Sequence, residues 1–229
     1  MTATCLMDER GKTETSAPQS MNLIVLLGGR SRRMGTCKCR QSLGGAPLYT
    51  WPLRRLQEVT ARQILVTGTG LLDAECEVGN VVVHDLMPDA GPLAGIHAGL
   101  AASETWFNFV VAGDMPFVSP LLVSAMGAFA AQHELDILYL DIDGWLEPLF
   151  AVYSKRVEGV AWRLLAKGCY SVRGLIDGEH LSVGAIGRRF AAQYDERLVS
   201  LFNVNTPEDL AVARKMLCIS EMSRQEERV

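Results

Sequence analysis

Leu23-Ile24-Val25-Leu26-Leu27-Gly28-Gly29-Arg30-Ser31-Arg32-Arg33-Met34-Gly35-Thr36-Cys37-Lys38 is the stretch on which the reading of the fold turns. Five apolar residues run straight into two glycines, as in a strand buried on both faces of a parallel sheet. Glycine lets the backbone turn sharply and approach a ligand closely. Taken alone, the pair reads as a tight turn. Arg30, Arg32, Arg33 and Lys38 crowd the residues that follow. That density of cations directly after a buried strand suits a phosphorylated, anionic ligand. The spacing is neither the dinucleotide fingerprint nor a P-loop, because Lys38 does not directly follow a glycine.

The remainder of the chain repeats the pattern. Apolar runs at Ile64–Thr67, Val81–His84, Phe107–Val111, Ile137–Leu140 and Leu149–Tyr153 read as strands, with a late strand over Val199–Phe202. Helices are predicted near Tyr49–Glu58, over Leu93–Ala102, after the Ser119-Pro120 cap, over Val157–Lys167, and from Thr206-Pro207-Glu208-Asp209 to about Leu217. Strands alternating with helices predict an α/β protein with a mostly parallel sheet. One domain is expected over residues 21–217, between a disordered extension (1–20) and a charged tail (218–229). With 22 basic and 26 acidic residues, a net charge of -4 argues against general nucleic-acid binding. No segment reads as membrane-spanning and the first twenty residues lack a signal-peptide core, so a cytoplasmic protein is expected. The six cysteines show no paired metal-ligand spacing and read as reduced thiols.

Ligands of open α/β sheets bind beyond the carboxyl ends of the strands. The residues standing there are the basic glycine loop, Thr67, Asp85 and Asp114. Asp114 follows a fully apolar strand and precedes Met115-Pro116. Aspartate is common in turns. Facing a phosphate cradle, a carboxylate calls for a cation between the two, and magnesium takes one or two carboxylates plus substrate phosphates. Asp85 also fits ordinary turn chemistry. His84 and His97 read as structural. Glu147 stands at a strand start, as a placed carboxylate or a solvated end.

These residues resemble the MobA-like nucleotidyltransferases. The resemblance runs through the glycine loop to Lys38, Asp85, Gly91-Pro92-Leu93-Ala94-Gly95-Ile96, Gly113-Asp114-Met115-Pro116, Pro148–Tyr153 and Phe202-Asn203-Val204-Asn205-Thr206-Pro207-Glu208-Asp209-Leu210. It implies a single Rossmann-like, three-layer domain with a mixed sheet, as in nucleotide-diphospho-sugar transferases. The guanylyl branch is the nearest, which implies transfer of GMP from GTP to molybdenum-molybdopterin with release of pyrophosphate. Cytidylyl and sugar-phosphate transfer, or a non-catalytic carrier, are the alternatives. The resemblance further implies Mg2+ as cofactor and molybdoenzymes or chaperones as partners. By the same resemblance, Leu26, Leu27, Gly28 and Gly29 line the nucleotide site and Arg33 and Lys38 hold the triphosphate. Thr67 and Asp85 then touch the nucleoside, Asp114 holds the metal, and Arg173, Asn203 and Asn205 face the pterin. Leu27 stands where the family usually has alanine, and Cys37 where it usually has aspartate.

Overall fold

Strand β1 (Met21–Leu26) is buried along its whole length, and its side chains alternate between two cores. The computed structural model describes residues 21–27, 38–68, 81–84, 87, 90–178 and 180–226, so the expected N-terminal extension lies outside the described residues. After β1 come a small hairpin, β2 (Ser42–Leu43) and β3 (Ala46–Pro47), and helix α1 (Thr50–Leu56). Strands β4 (Gln63–Thr67) and β5 (Val81–His84), helix α2 (Gly91–Ala102), strand β6 (Phe107–Ala112) and helix α3 (Pro120–Gln132) follow. The second half comprises β7 (Ile137–Ile142), β8 (Trp145–Ser154), α4 (Val157–Ala166), α5 (Arg173–Ile176), β9 (Val183–Gly187), α6 (Arg188–Ala191) and α7 (Pro207–Glu226). The expected caps form. Ser119 Oγ accepts the Leu122 N–H at 3.4 Å, and Thr206 Oγ1 accepts the Asp209 N–H at 3.1 Å. The last helix continues past Leu217 to Glu226.

The seven-stranded sheet has the order β5-β4-β1-β6-β8-β7-β9. Only β8 runs against the others. Leu23, Val25 and Leu27 enter one core with Phe109, Val111 and the apolar sides of α1 and α3. Ile24 and Leu26 enter the other, with Val66, Val110 and the apolar sides of α2 and α4. The result is the three-layer, mostly parallel architecture the sequence predicts. Gly99 sets how closely α2 lies on the sheet, because a Cβ there would overlap the Ile24 side chain. A third cluster joins α7 to the β2–β3 hairpin through Leu43, Leu48, Phe117, Val204 and Leu210.

One expected strand is a helical turn. Val199–Leu201 forms a 3-10 turn. Leu198 turns left-handed at φ 51°, and the Asp195 carboxylate accepts the N–H groups of Val199 (3.1 Å) and Ser200 (2.8 Å). This side-chain bonding to the backbone competes with the extended state that the apolar run favours. The strand expected over Leu149–Tyr153 is longer, because Asp143 (φ 57°) and Gly144 (φ 87°) form a two-residue turn that folds β8 back on β7.

The amino end of the sheet is closed by polar groups that bond to one another. The buried Asp136 carboxylate accepts from Ser154 Oγ (2.8 Å), Ser182 N (3.0 Å) and Arg156 Nη1 (3.2 Å), and so ties β7, β8 and β9 together. Asn22 Nδ2 donates to Ser103 Oγ at 2.9 Å. Lys155 Nζ donates to the carbonyls of Leu100 and Ser103 at the end of α2, where a cation also offsets the helix dipole.

Candidate functional site

The strand order reverses beside β1. The chain adds β4 and β5 on one side, then crosses to lay β6 on the other. Such a reversal opens a crevice at the carboxyl ends of the two central strands. Leu27 and Gly113 stand there, with Leu27 N donating to Val66 O (2.8 Å) and Gly113 N to Leu26 O (3.0 Å). Gly28, Gly29 and Arg33 lie outside the described residues. The described chain resumes at Lys38, which opens a 3-10 turn, Lys38–Arg40. Cys39 in that turn is buried, with its Sγ 4.0 Å from the Leu27 carbonyl. The backbone of Lys38 is therefore held at the edge where β1 ends.

Gly113 makes this convergence possible. A Cβ there would stand 2.7 Å from Leu27 Cδ2 and 3.3 Å from Cys39 Sγ and Tyr49 Cβ. Asp114 follows in a turn and is half-buried. Its backbone carbonyl accepts the Val204 N–H at 2.9 Å, which docks the late Asn203–Asn205 segment against the β6 edge. Asn203 Nδ2 donates to Leu201 O (3.3 Å), and Asn205 N donates to Asp209 Oδ2 (2.9 Å). Two asparagines far along the chain thus flank Val204, which bonds to Asp114.

The other expected residues divide. Leu26 and Leu27 send their side chains into the two cores, so what they can offer a ligand is backbone. Thr67 ends β4 fully buried, with its hydroxyl donating to Gly68 O at 3.0 Å. Asp85 lies outside the described residues; His84 before it is exposed. Arg173 is not gathered with Asp114. It opens α5 on the α2–α4 side of the sheet, exposed and 3.6 Å from Asp177. It still belongs to the carboxyl edge, since the carbonyl of nearby Tyr170 lies against Gly91 at the start of α2. Among the described residues no group of three or more His, Cys, Asp or Glu side chains gathers into a metal cage. A single carboxylate with amide neighbours fits a hard cation that arrives with substrate phosphates and keeps several of their oxygens.

Glu147 and Tyr153 have shifted titrations. Burial raises the Glu147 carboxyl above its usual range, and a side-chain hydrogen bond with Trp145 partly offsets this. Burial also pushes the Tyr153 phenol upward; its hydroxyl donates to Pro148 O at 2.7 Å. Sequence reasoning passed over Trp145, which gave no signal before the hairpin was known.

A family model described as the MobA-like NTP transferase domain matches residues 23–182. A protein of Natranaerobius thermophilus named "Probable molybdenum cofactor guanylyltransferase" is 32% identical over 86% of this chain and 97% of its own. One of the same name from Pelotomaculum thermopropionicum is 35% identical over 84% and 91%. The crystal structure of molybdopterin-guanine dinucleotide biosynthesis protein A from Archaeoglobus fulgidus matches with a TM-score of 0.73 at 28% identity, covering 86% of this chain and 99% of that one. A 4-diphosphocytidyl-2C-methyl-D-erythritol synthase from Anaerococcus prevotii matches with a TM-score of 0.63 at 14% identity, over 87% and 99%, which is a likeness of fold alone.

Proposed function

The chain belongs to the MobA-like NTP transferase family, and from that premise we propose that it transfers GMP from GTP to the terminal phosphate of molybdenum-bearing molybdopterin. The observation that carries this reading is the docking of Asn203–Asn205 onto Asp114 where the strand order reverses. It gives one edge a carboxylate suited to a hard cation and two amides suited to a polar acceptor. Relatives named for guanylyl transfer over most of the chain support the choice of substrate.

In the reaction, an oxygen of the acceptor phosphate forms a bond to the α-phosphorus of GTP. The bond from that phosphorus to the bridging oxygen breaks, and pyrophosphate leaves with the electron pair. A phosphate monoester has a second pKa near ~6 and is largely dianionic at neutral pH, so no general base is needed. The difficulty is that one anion attacks another, and catalysis rests on positioning and charge cancellation. In this reading Arg33 and Lys38 hold the triphosphate, and backbone at Leu26–Gly29 approaches it closely. Thr67 and Asp85 bound the nucleoside. Asp114 holds Mg2+, which when bound offsets charge on the phosphates. Asn203, Asn205 and Arg173 orient the acceptor.

Purified protein with GTP, magnesium chloride and molybdenum-loaded molybdopterin is expected to release pyrophosphate in step with a guanine dinucleotide product. CTP in a parallel reaction is expected to give little. Turnover with CTP and none with GTP would overturn the guanylyl assignment.

A further inference from the structure

The β7–β8 hairpin carries a pair of side chains that packing does not explain. Trp145, beside the turn, is 71% exposed. Glu147, two residues on and therefore on the same side of the strand, is half-buried. Leu146 between them packs into the α2–α4 core, so the pair stands on the opposite face. Gly113 and Met115, either side of Asp114, contact the core of that same face.

The hairpin is held in place. Gly144 N donates to Asp141 Oδ1 at 2.8 Å, and Arg188 pairs with Asp143 at 2.7 Å. A bulge follows, because Tyr139 pairs with Ala151 but Leu140 pairs with Glu147. Tyr153 bonds back to the bulge at Pro148. Bulges beside binding sites re-aim side chains. The last ladder pair between β6 and β8 is Val111 with Phe150. Three residues beyond it, one on each strand, stand Asp114 and Glu147.

We propose that Trp145 and Glu147 form the subsite for the flat ring of the acceptor and read its 2-amino-4-oxopyrimidine edge. The indole face stacks on the ring. The carboxylate accepts two parallel hydrogen bonds, from the ring N–H and the exocyclic amino group. Guanine carries the same edge. The hairpin lies across β6 from β4 and β5, on the half of the sheet away from Thr67, which assigns the pair to the acceptor. Desolvation of the carboxylate also strengthens what it bonds. The assignment rests on the guanylyl-transfer reading.

The test compares wild type with Trp145→Ala, Trp145→Phe and Glu147→Gln. Each is assayed for turnover with GTP and molybdenum-loaded molybdopterin, and for quenching of tryptophan emission by 6-hydroxymethylpterin. Trp145→Ala and Glu147→Gln are each expected to raise the acceptor KM about tenfold. The KM for GTP and the melting temperature should hold in both, and Trp145→Phe should restore most of the acceptor affinity. The pterin should quench wild type strongly and Trp145→Ala weakly. An unchanged acceptor KM in both variants, or full quenching in Trp145→Ala, overturns the subsite. A rise confined to the KM for GTP overturns it too, and places guanine on the hairpin. If wild type transfers no GMP, the guanylyl reading falls, and the quenching experiment still decides the subsite.

Discussion

The two ends of the central sheet handle polar side chains in opposite ways. At the amino end, the side chains of Asp136, Ser154, Asn22 and Ser103 are buried, and their hydrogen bonds tie β7 to β8 and β1 to the end of α2. At the carboxyl end, Asp114 and Asn203 are half-buried, and Asn205 and Trp145 are exposed. Both ends belong to the same strands, so burial does not follow from strand composition. It follows from what lies beyond the strand: at the amino end the chain's own turns bond to the polar groups, and at the carboxyl end the described residues leave these side chains partly exposed. The difference teaches that the surroundings beyond a strand end, more than the strand itself, decide whether a polar side chain is tied inward or left partly exposed.

The sharpest test of that division is Asp114→Asn. It is expected to lower kcat by ~10²–10³-fold, or about 3–4 kcal/mol of activation free energy, with an unchanged melting curve. Steady-state kinetics beside a thermal melt check both halves, and wild-type turnover would break the comparison. Asp136→Ala should do the reverse. It leaves the buried Ser154 hydroxyl and the Ser182 N–H without their acceptor and should cost about 3 kcal/mol of stability, read from urea unfolding, while kcat below the transition is retained. Gly99→Ala is expected to cost about 2 kcal/mol by forcing α2 off β1, since both sides of the contact are packed.

The smallest expected effect concerns pH. Burial raises the Glu147 carboxyl above the ordinary carboxylate range. A raised folded-state value favours the protonated form, so its contribution to stability is complete below the ordinary carboxylate range. It is lost as pH rises through the raised value. Glu147→Gln removes that loss. The variant should therefore gain on wild type across this window in melting temperature, with a constant difference on either side. A difference that is flat throughout would remove the carboxylate from the partly desolvated surroundings assigned to it.

The central strands were legible because β1 and β6 are apolar along nearly their whole length, which only a sheet covered on both faces rewards. Asp114 was legible because it follows such a strand directly. The Thr206-Pro207-Glu208-Asp209 cap was local chemistry and was read correctly. Val199–Phe202 was misread because its conformation is fixed by Asp195, a side chain outside the apolar run. The Asp136 cluster draws on three separate stretches of chain, and no spacing announces it. Trp145 depends on a register shift on β8, which is set by pairing with β7. In each case the sequence shows what neighbours along the chain decide, and conceals what is decided by strands that meet later.

That delay has a kinetic side. β1 lies between β4 and β6 and pairs with both, yet β6 is separated from it by four strands and two helices. The β7–β8 hairpin, by contrast, closes through a two-residue turn and can form within microseconds, on the order of 1–10 μs. β1 is thus made before both of its neighbours and stays open on one side until β6 emerges. At ~5–20 residues per second, ribosomal synthesis leaves it waiting on the order of ten seconds for its second neighbour. The order of strands that creates the crevice beside β1 also leaves that strand open on one side while the chain emerges.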